Sequence, residues 1–255
     1  MVAEDKLNIL EPLRANLVMV SAGANYMTGL IGNVSIPVYS GSNVGWAGEI
    51  ASASDGAGTF SEVTLEPKRI TAYLDVSKQF LLQDSVSAEA LLRNDLVRAI
   101  SNKLEATILG DAAGSTTQPK GIFYNVDTIE DTSYETMVGL IQTLEEADVN
   151  GDIKYIVSPA IKALLKTTSK DTGSGLFVME GNEVDGIPVL STSASKGIVV
   201  GNFADYVIGQ WGSIDLTVDP YSQATNGKVR LVVNAYFDAK PRRAEAFVAK
   251  TLSTD

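Results

Sequence analysis

The longest regular pattern of apolar residues lies between Gln83 and Gly110. Asp84 or Ser85 is suited to cap a helix at its start, because either side chain accepts from backbone N–H groups of the first turn. Gly110 stands where a helix often ends on a left-handed residue. The pattern predicts one long helix over residues 84–109. Its apolar stripe consists of Leu92, Leu96, Ile100, Leu104 and Ile108, widened by Ala88, Leu91 and Ala99.

The region before this helix has the alternating pattern of strands from Ile36 onwards. Two extended segments flank a tip at Ile50–Gly58 that is made almost wholly of Ala, Ser, Gly and Asp. The pattern predicts a long hairpin over residues 36–76 with too few large apolar residues for a core of its own. An isolated two-stranded hairpin is marginally stable in water, so we expect this one to lie on another surface.

The second half of the chain alternates between short strands and helices. Thr132–Glu135 has the T-x-x-E spacing of a capping box, and Ser158–Pro159 provides an N-cap followed by a proline at the first helical position. A turn is expected at Asn226–Gly227. The order is mixed α+β, with no internal repeat. The predicted strands are Ile153–Val157, Leu176–Met179, Ile187–Leu190, Ile198–Val200, Ile214–Val218, Lys228–Phe237 and Ala246–Leu252.

The first 26 residues look like an extended arm. They contain four leucines and one isoleucine, but Pro12 interrupts any helix and Gly23 follows. We expect such an arm to be held by a neighbouring subunit, because chain termini are usually poorly ordered unless something binds them.

Composition removes many kinds of chemistry. The net charge is −11, which argues against a surface that binds nucleic acid tightly. The chain has neither Cys nor His, so it lacks disulfides, thiolate ligands and the most frequent general base. Charged residues make up only 20%, which suggests that other molecules cover much of the surface. No apolar run has the length of a membrane span. We therefore expect a protein with little catalytic equipment, no cofactor, no metal and no membrane contact.

Two short motifs suggest enzymes but lack the required context. Asp171-Thr172-Gly173-Ser174 matches the aspartic-protease signature, yet it occurs once and follows four polar residues instead of a buried strand. Ser193-Ala194-Ser195-Lys196 fits S-x-x-K, but the four residues bridge two short strands, whereas that chemistry needs a helical turn. A hydrolase that uses carboxylates, Ser193 and Lys196 remains the distant alternative.

Short motifs along most of the chain are similar to those of one family. Taken in their order and spacing, they resemble the major capsid proteins of tailed bacteriophages with the Hong Kong 97-type fold. They are W-A-G-E at Trp46–Glu49, V-T-L-E-P-K at Val63–Lys68, L-L-Q-D-S at Leu81–Ser85, E-A-x-x-L-G at Glu105–Gly110, V-S-P at Val157–Pro159, G-I-P-V at Gly186–Val189, V-G-N-F at Val200–Phe203 and A-E-A-F-V at Ala244–Val248.

The resemblance implies an α+β capsid fold in which the hairpin is the E-loop and the long helix is the spine of a peripheral domain. The parts it implies are an N-terminal arm with the entry to the peripheral domain at 1–35, the E-loop hairpin and its base at 36–76, the peripheral domain at 77–121 with the spine helix at 84–109, an axial domain at 122–212, returning strands of the peripheral domain at 213–243, and a C-terminal strand at 244–255.

The function that the resemblance implies is self-assembly through hexamers and pentamers into the icosahedral head around double-stranded phage DNA. DNA would be enclosed but not specifically bound, and scaffold, portal and decoration proteins are further partners. The location would be the virion, after assembly in the cytoplasm of a host bacterium. An encapsulin shell is the alternative within this fold. Expected contacts between subunits are Trp46, Glu49, Ile50, Phe60, Lys68, Arg69, Asp171 and Ser174.

Two further expectations concern assembly. About 35 residues precede Ile36, so we expect no fused scaffolding domain: either a protease has removed one or a separate scaffold acts, and Met1 favours the latter. Some relatives cross-link an E-loop Lys to an Asn on a neighbour's long strand, with a Glu as base. Here residues 45–67 contain no Lys, and residues 226–237 contain no Asp or Glu. We therefore expect a shell without such cross-links.

Overall fold

A computed structural model of the chain describes residues 17–42, 44–50, 52, 54–79, 85–173 and 175–253. Within them, the strands form one four-stranded sheet, one six-stranded sheet and a separate two-stranded hairpin. The helices are α1 (Val18–Ala22), α2 (Ser85–Ile108), α3 (Tyr134–Glu146) and α4 (Pro159–Thr167). The strands are β1 (Asn25–Leu30), β2 (Val34–Tyr39), β3 (Phe60–Leu65), β4 (Lys68–Ser77), β5 (Thr128–Ile129), β6 (Ile153–Val157), β7 (Glu183–Val184), β8 (Ile187–Ser191), β9 (Ile198–Asn202), β10 (Tyr206–Asp219), β11 (Lys228–Pro241) and β12 (Phe247–Leu252).

The four-stranded sheet has the order β1-β10-β11-β4, and one of its faces packs against α2. Strands β10 and β11 are 14 residues each and pair antiparallel, while β4 pairs with the other side of β11. Alternate residues of β11 point inward, as the period-two pattern requires. The buried ones are Leu231, Val233, Ala235, Phe237 and Ala239.

The six-stranded sheet has the order β5-β12-β9-β6-β8-β7 and is buried on both faces. Ile156 and Val199 face the core that contains α2. Their neighbours Tyr155 and Val200 face a second core, formed with α3 and α4. Strands buried on both sides read as continuous apolar runs, which explains the unbroken run at the end of β6. The two cores therefore share one sheet and support each other.

The long helix is present as predicted, with Ile100, Leu104 and Ile108 facing the core. It differs from the prediction at two positions of the stripe, because Leu91 is 66% exposed and Ala99 is also exposed. The expected cap Asp84 lies outside the described residues. Leu91 and Ala99 therefore face away from the core of this subunit.

Gly110 does end the helix region, but for a different reason from the one predicted. Its backbone is not in the left-handed conformation. Instead, a Cβ atom on Gly110 would lie 2.6 Å from the carbonyl oxygen of Ala106. A Cβ on Gly121 would lie 2.1 Å from the Gly110 oxygen. Glycine is needed at both positions because the chain passes very close to itself as it leaves α2.

Several local predictions are confirmed and others are corrected. Ser158 caps α4 through the Ile161 N–H, as expected. The cap of α3 is Ser133, not Thr132, which is buried. The strand expected at 176–179 is reduced to an isolated bridge between Ser169 and Phe177.

The domain division stays a prediction, although some expected boundaries fall inside single elements. β10 continues through the boundary expected at residue 212. The paired hairpin ends at Leu65, because Lys68–Ser77 pairs with β11 in the four-stranded sheet and not with the hairpin. Neither effect is visible in the apolar pattern, since the same alternation serves both pairings.

The predicted arm is shorter than expected within the described residues. Leu17 and Met19 are fully buried in the core with α2, and β1 pairs in parallel with β10. The first described strand is therefore β1, not a strand at Ile36. Residues 1–16, including Pro12, lie outside the described residues.

A buried carboxylate on α2 joins three parts of the fold. An oxygen of Glu105 accepts the Val18 N–H at 2.9 Å and a hydrogen bond from Thr192 in the turn after β8. Burial raises the pKa of Glu105, and these two hydrogen bonds oppose that effect only in part. Glu105 thus ties α1 and the six-stranded sheet to α2.

None of the described helices is long and apolar enough to cross a membrane.

We predict that Glu105→Gln reduces the pH dependence of subunit stability. Because the folded-state pKa is raised, the contribution of Glu105 is most favourable below the ordinary Glu pKa and is lost as pH rises through the folded-state pKa. Urea unfolding at several pH values from 4 to 8 measures this: the wild type should lose more stability across that range than the variant. Equal slopes in the two proteins would show that Glu105 is not held in this way.

Candidate assembly interface

The hairpin of β2 and β3 stands apart from both larger sheets. Its strands pair only with each other, in a register that runs from Val34 opposite Leu65 to Tyr39 opposite Phe60. At the end of the hairpin, the Tyr39 and Phe60 rings lie 4.7 Å apart. The described residues between 40 and 59 continue as a tip without strand structure. This arrangement is the projecting hairpin that the sequence predicts.

The tip carries large apolar side chains in contact with solvent. Trp46 and Ile50 are fully exposed, Val44 is 93% exposed and Phe60 is 79% exposed. Isolated exposed apolar residues are ordinary, but several on one projecting element indicate a surface that binds another protein. Removing each such side chain from water would contribute about 1.5–3 kcal/mol.

The charge of the tip has one sign. Residues 40–67 contain Glu49, Asp55, Glu62 and Glu66 but no Lys or Arg. One oxygen of Asp55 accepts the Ala57 N–H at 3.0 Å, so this carboxylate stabilises the local turn. A surface that binds the tip is therefore expected to offer positive charge.

The base of the hairpin is fixed to β11 by buried polar contacts. The Lys68 ammonium lies 2.8 Å from Oδ1 of Asp238, and both side chains are buried. The second oxygen of Asp238 accepts the Glu66 N–H at 3.0 Å, and Lys240 donates to the Thr64 carbonyl oxygen at 2.5 Å. These contacts hold the segment between β3 and β4 in place.

Apolar packing completes this attachment. Leu65 is fully buried against Val207 and Trp211, and the Trp211 ring N–H donates to the Gly32 carbonyl oxygen. Nearby, burial raises the pKa of Tyr206, and the charge of Asp238 adds to the effect. The tip therefore projects from a firmly packed base.

The structure separates the eight residues expected at subunit contacts. Trp46, Glu49, Ile50 and Phe60 are exposed on the hairpin. Arg69 is exposed on β4. Lys68, however, is buried and paired with Asp238, so its ammonium group is engaged within the subunit. Sequence reasoning overlooked this because Asp238 is 170 positions away along the chain. Asp171 is exposed in the turn after α4, and Ser174 lies outside the described residues.

Other exposed apolar residues were missed by sequence reasoning. Val44 belongs to the tip, Ile31 is 90% exposed beside β1, and Tyr221 is 84% exposed in the turn between β10 and β11. The signal available for Val44 was its position among small residues close to Trp46. The sequence instead indicated a buried position for Leu91, because Leu91 fits the apolar stripe of the long helix.

The fold consists of two sheets packed around the long helix α2, with a separate hairpin that projects from a packed base. The chain matches the model of the phage capsid family over residues 6–251, and it therefore belongs to that family. It is 28% identical over 247 residues to the major capsid protein of Halomonas phage phiHAP-1. This match covers 93% of this chain and 41% of that protein. The chain thus spans well under half the length of this curated relative.

Solved structures support the fold. The capsid of a native GTA particle superimposes with a TM-score of 0.74 at 15% identity, covering 92% of this chain and 90% of that one. A chain from Microbacterium phage Oxtober96 gives 0.75 at 11% identity, with coverages of 93% and 91%. A chain from Gordonia phage Cozz gives 0.71 at 14% identity, with coverages of 93% and 87%. The predicted Hong Kong 97-type α+β fold is confirmed.

We predict that Asp238→Ala strongly destabilises the subunit. The change leaves the buried Lys68 ammonium without its partner, which typically costs about 3–5 kcal/mol in the free energy of unfolding. Denaturant unfolding of the purified subunit measures this. The double variant Lys68→Met with Asp238→Leu serves as the control, since replacing both members by apolar groups should restore most of the loss. A double variant as unstable as the single one would contradict an ion pair at this site.

We also predict that particles contain no covalent cross-links between subunits. The hairpin tip has no Lys, and the nearest one, Lys68, is engaged with Asp238. Particles boiled in detergent with reductant should give a single gel band near 27.0 kDa for this chain. A ladder of multimers would overturn the prediction.

Proposed function

We propose that this chain is the shell-forming major capsid protein of a tailed phage. Many copies assemble as hexamers and pentamers into an icosahedral head around double-stranded DNA. The observation that supports this most directly is the hairpin: a firmly anchored base carries an apolar tip with no surface of its own subunit to cover it. In a closed shell, the tip of each copy is buried against the next.

The charge of the chain fits an enclosing role. With a net charge of −11, the chain as a whole has little affinity for phosphates, which supports holding DNA by confinement and not by specific contacts. The head is assembled in the cytoplasm of the host bacterium. Portal, scaffold and decoration proteins are further partners of such a head.

An encapsulin-type compartment is the second candidate within the same fold. The match to the phage capsid family and to a phage major capsid protein favours the phage head. The particle interior distinguishes the two proteins, because a phage head holds DNA and has a portal, whereas an encapsulin holds a protein cargo.

A catalytic role has little support among the described residues. Ser193 and Lys196 lie in the turn between β8 and β9, not on one face of a helix. Asp171 lies in an exposed turn after α4 instead of at the end of a buried strand. We therefore assign the chain a structural role.

The test of this proposal removes the apolar surface of the tip without disturbing the base. Recombinant wild-type chain should form closed particles in electron micrographs. Shortening Ile50–Gly58, or replacing Trp46→Ser, should sharply reduce the yield of particles. The unfolding free energy of the subunit should change by less than about 1 kcal/mol, since loop length has a small effect on closure entropy.

Trp46→Phe is the matched control, because it keeps an apolar ring at the same position and should retain most of the particle yield. Normal particles from the shortened protein, together with a loss of subunit stability, would mean that the hairpin tip serves folding and not assembly.

A further inference from the structure

A small cavity beside the hairpin base is lined by positive charge. Strand β4, helix α2 and the loop at 117–119 enclose about 230 Å³. Lys68, Arg69 and Lys103 line it, and no carboxylate of the described residues does. Hydroxyl and amide groups complete the wall, and the floor includes Leu104 and Phe237. The polar groups are Thr71, Thr107, Thr117 and Gln118.

The charges in this cavity are only partly balanced. Lys68 is paired with Asp238 directly behind it. Arg69 and Lys103 are both exposed, and neither forms an ion pair with any residue in the described part of the chain. Two such cations converging on one cavity are unusual in a chain with a net charge of −11. They indicate a site for an anionic group.

A larger cavity of about 670 Å³, near β12, lacks this character. It is lined by Lys120, Lys240 and Lys250, but also by Glu62 and Asp127. Each of these lysines already has a partner: Lys250 pairs with Asp127, Lys240 donates to a backbone carbonyl, and Lys120 lies over a tyrosine ring. The smaller cavity is therefore the better anion site.

We propose that the cavity at Arg69 and Lys103 receives the Glu49 carboxylate from the hairpin tip of a second copy. This inference rests on the proposed function and specifies one of its contacts. Arg69 offers two parallel N–H donors to a carboxylate, and Lys103 adds a second positive charge. The volume accommodates one side chain with its head group, and the apolar floor suits the Glu49 methylenes.

Glu49 is selected over the other tip carboxylate by its contacts. Asp55 already accepts a backbone N–H within its own turn, whereas Glu49 is exposed and lies next to Ile50 and close to Trp46. None of the described residues between 40 and 59 lines the cavity of its own subunit, so in this proposal the carboxylate comes from a second copy. Apolar contacts from Trp46 and Ile50 around the cavity would then shield the ion pair from water.

Charge exchange tests the pairing. Glu49→Gln should reduce the yield of particles, while Asp55→Asn, which removes the same charge from the same tip and keeps the turn hydrogen bond, should not. Glu49→Arg alone and Arg69→Glu with Lys103→Glu should each lower the yield at least about tenfold, the effect of roughly 1.4 kcal/mol per contact. The three changes together restore opposite charges and should recover particles. Circular dichroism of each subunit confirms that the exposed substitutions leave the fold intact.

The outcomes separate this inference from the proposed function. Wild-type chain that forms no particles contradicts the proposed function itself. Two results would overturn only the pairing, provided that the wild type forms particles. One is an equal particle yield from Glu49→Gln and Asp55→Asn. The other is a combined variant whose particle yield is no higher than that of the charge-reversed proteins from which it is made. The pairing is also overturned if reversing the charges of Arg69 and Lys103 leaves shell assembly normal but lowers the amount of DNA that the particles hold. That result would assign the cavity to a DNA phosphate.

Discussion

The rest of the structure depends on one constraint, which is that a hairpin without a core must be held entirely at its base. Asp238 helps to meet this requirement, because one oxygen accepts the Glu66 N–H just after the hairpin and the other pairs with the Lys68 ammonium at the start of β4. Buried ion pairs add little net stability compared with apolar packing, but they fix geometry because an unpaired partner is so costly. A fixed direction is what a projecting element needs if every copy is to reach its neighbour in the same way.

The base of the hairpin can be rigid because the sheet beneath it is supported from below. Strand β11, which carries Asp238, packs its inner face on α2, and α2 in turn contacts the six-stranded sheet through Ile156 and Val199. Those strands are clamped on their other face by α3 and α4. Close-packed interiors transmit displacement instead of absorbing it. The packing of both cores therefore sets the position of the tip.

Much of this architecture could be read from the sequence, and its failures have a common cause. Apolar periodicity predicted α2, the paired part of the hairpin and most strands of the second half, because local burial patterns determine them. The pairing of β4 with β11, the burial of Lys68 and the role of Gly110 depend on residues far apart along the chain or on backbone contacts, which periodicity does not encode. Leu91 shows the converse problem: its apolar character fits a core stripe, although its side chain is exposed on the subunit.

The exposed Leu91 and the exposed tip indicate that the chain has two kinds of apolar surface with different roles. The second half of α2 and the inner faces of the sheets are buried within the subunit and stabilise its fold. The tip and Leu91 of α2 keep apolar side chains in water, so these side chains add no apolar burial to the folded monomer. Burying them requires another molecule. In the proposed shell each copy would both give and receive such contacts, so that many individually modest interactions would act together and strengthen one another.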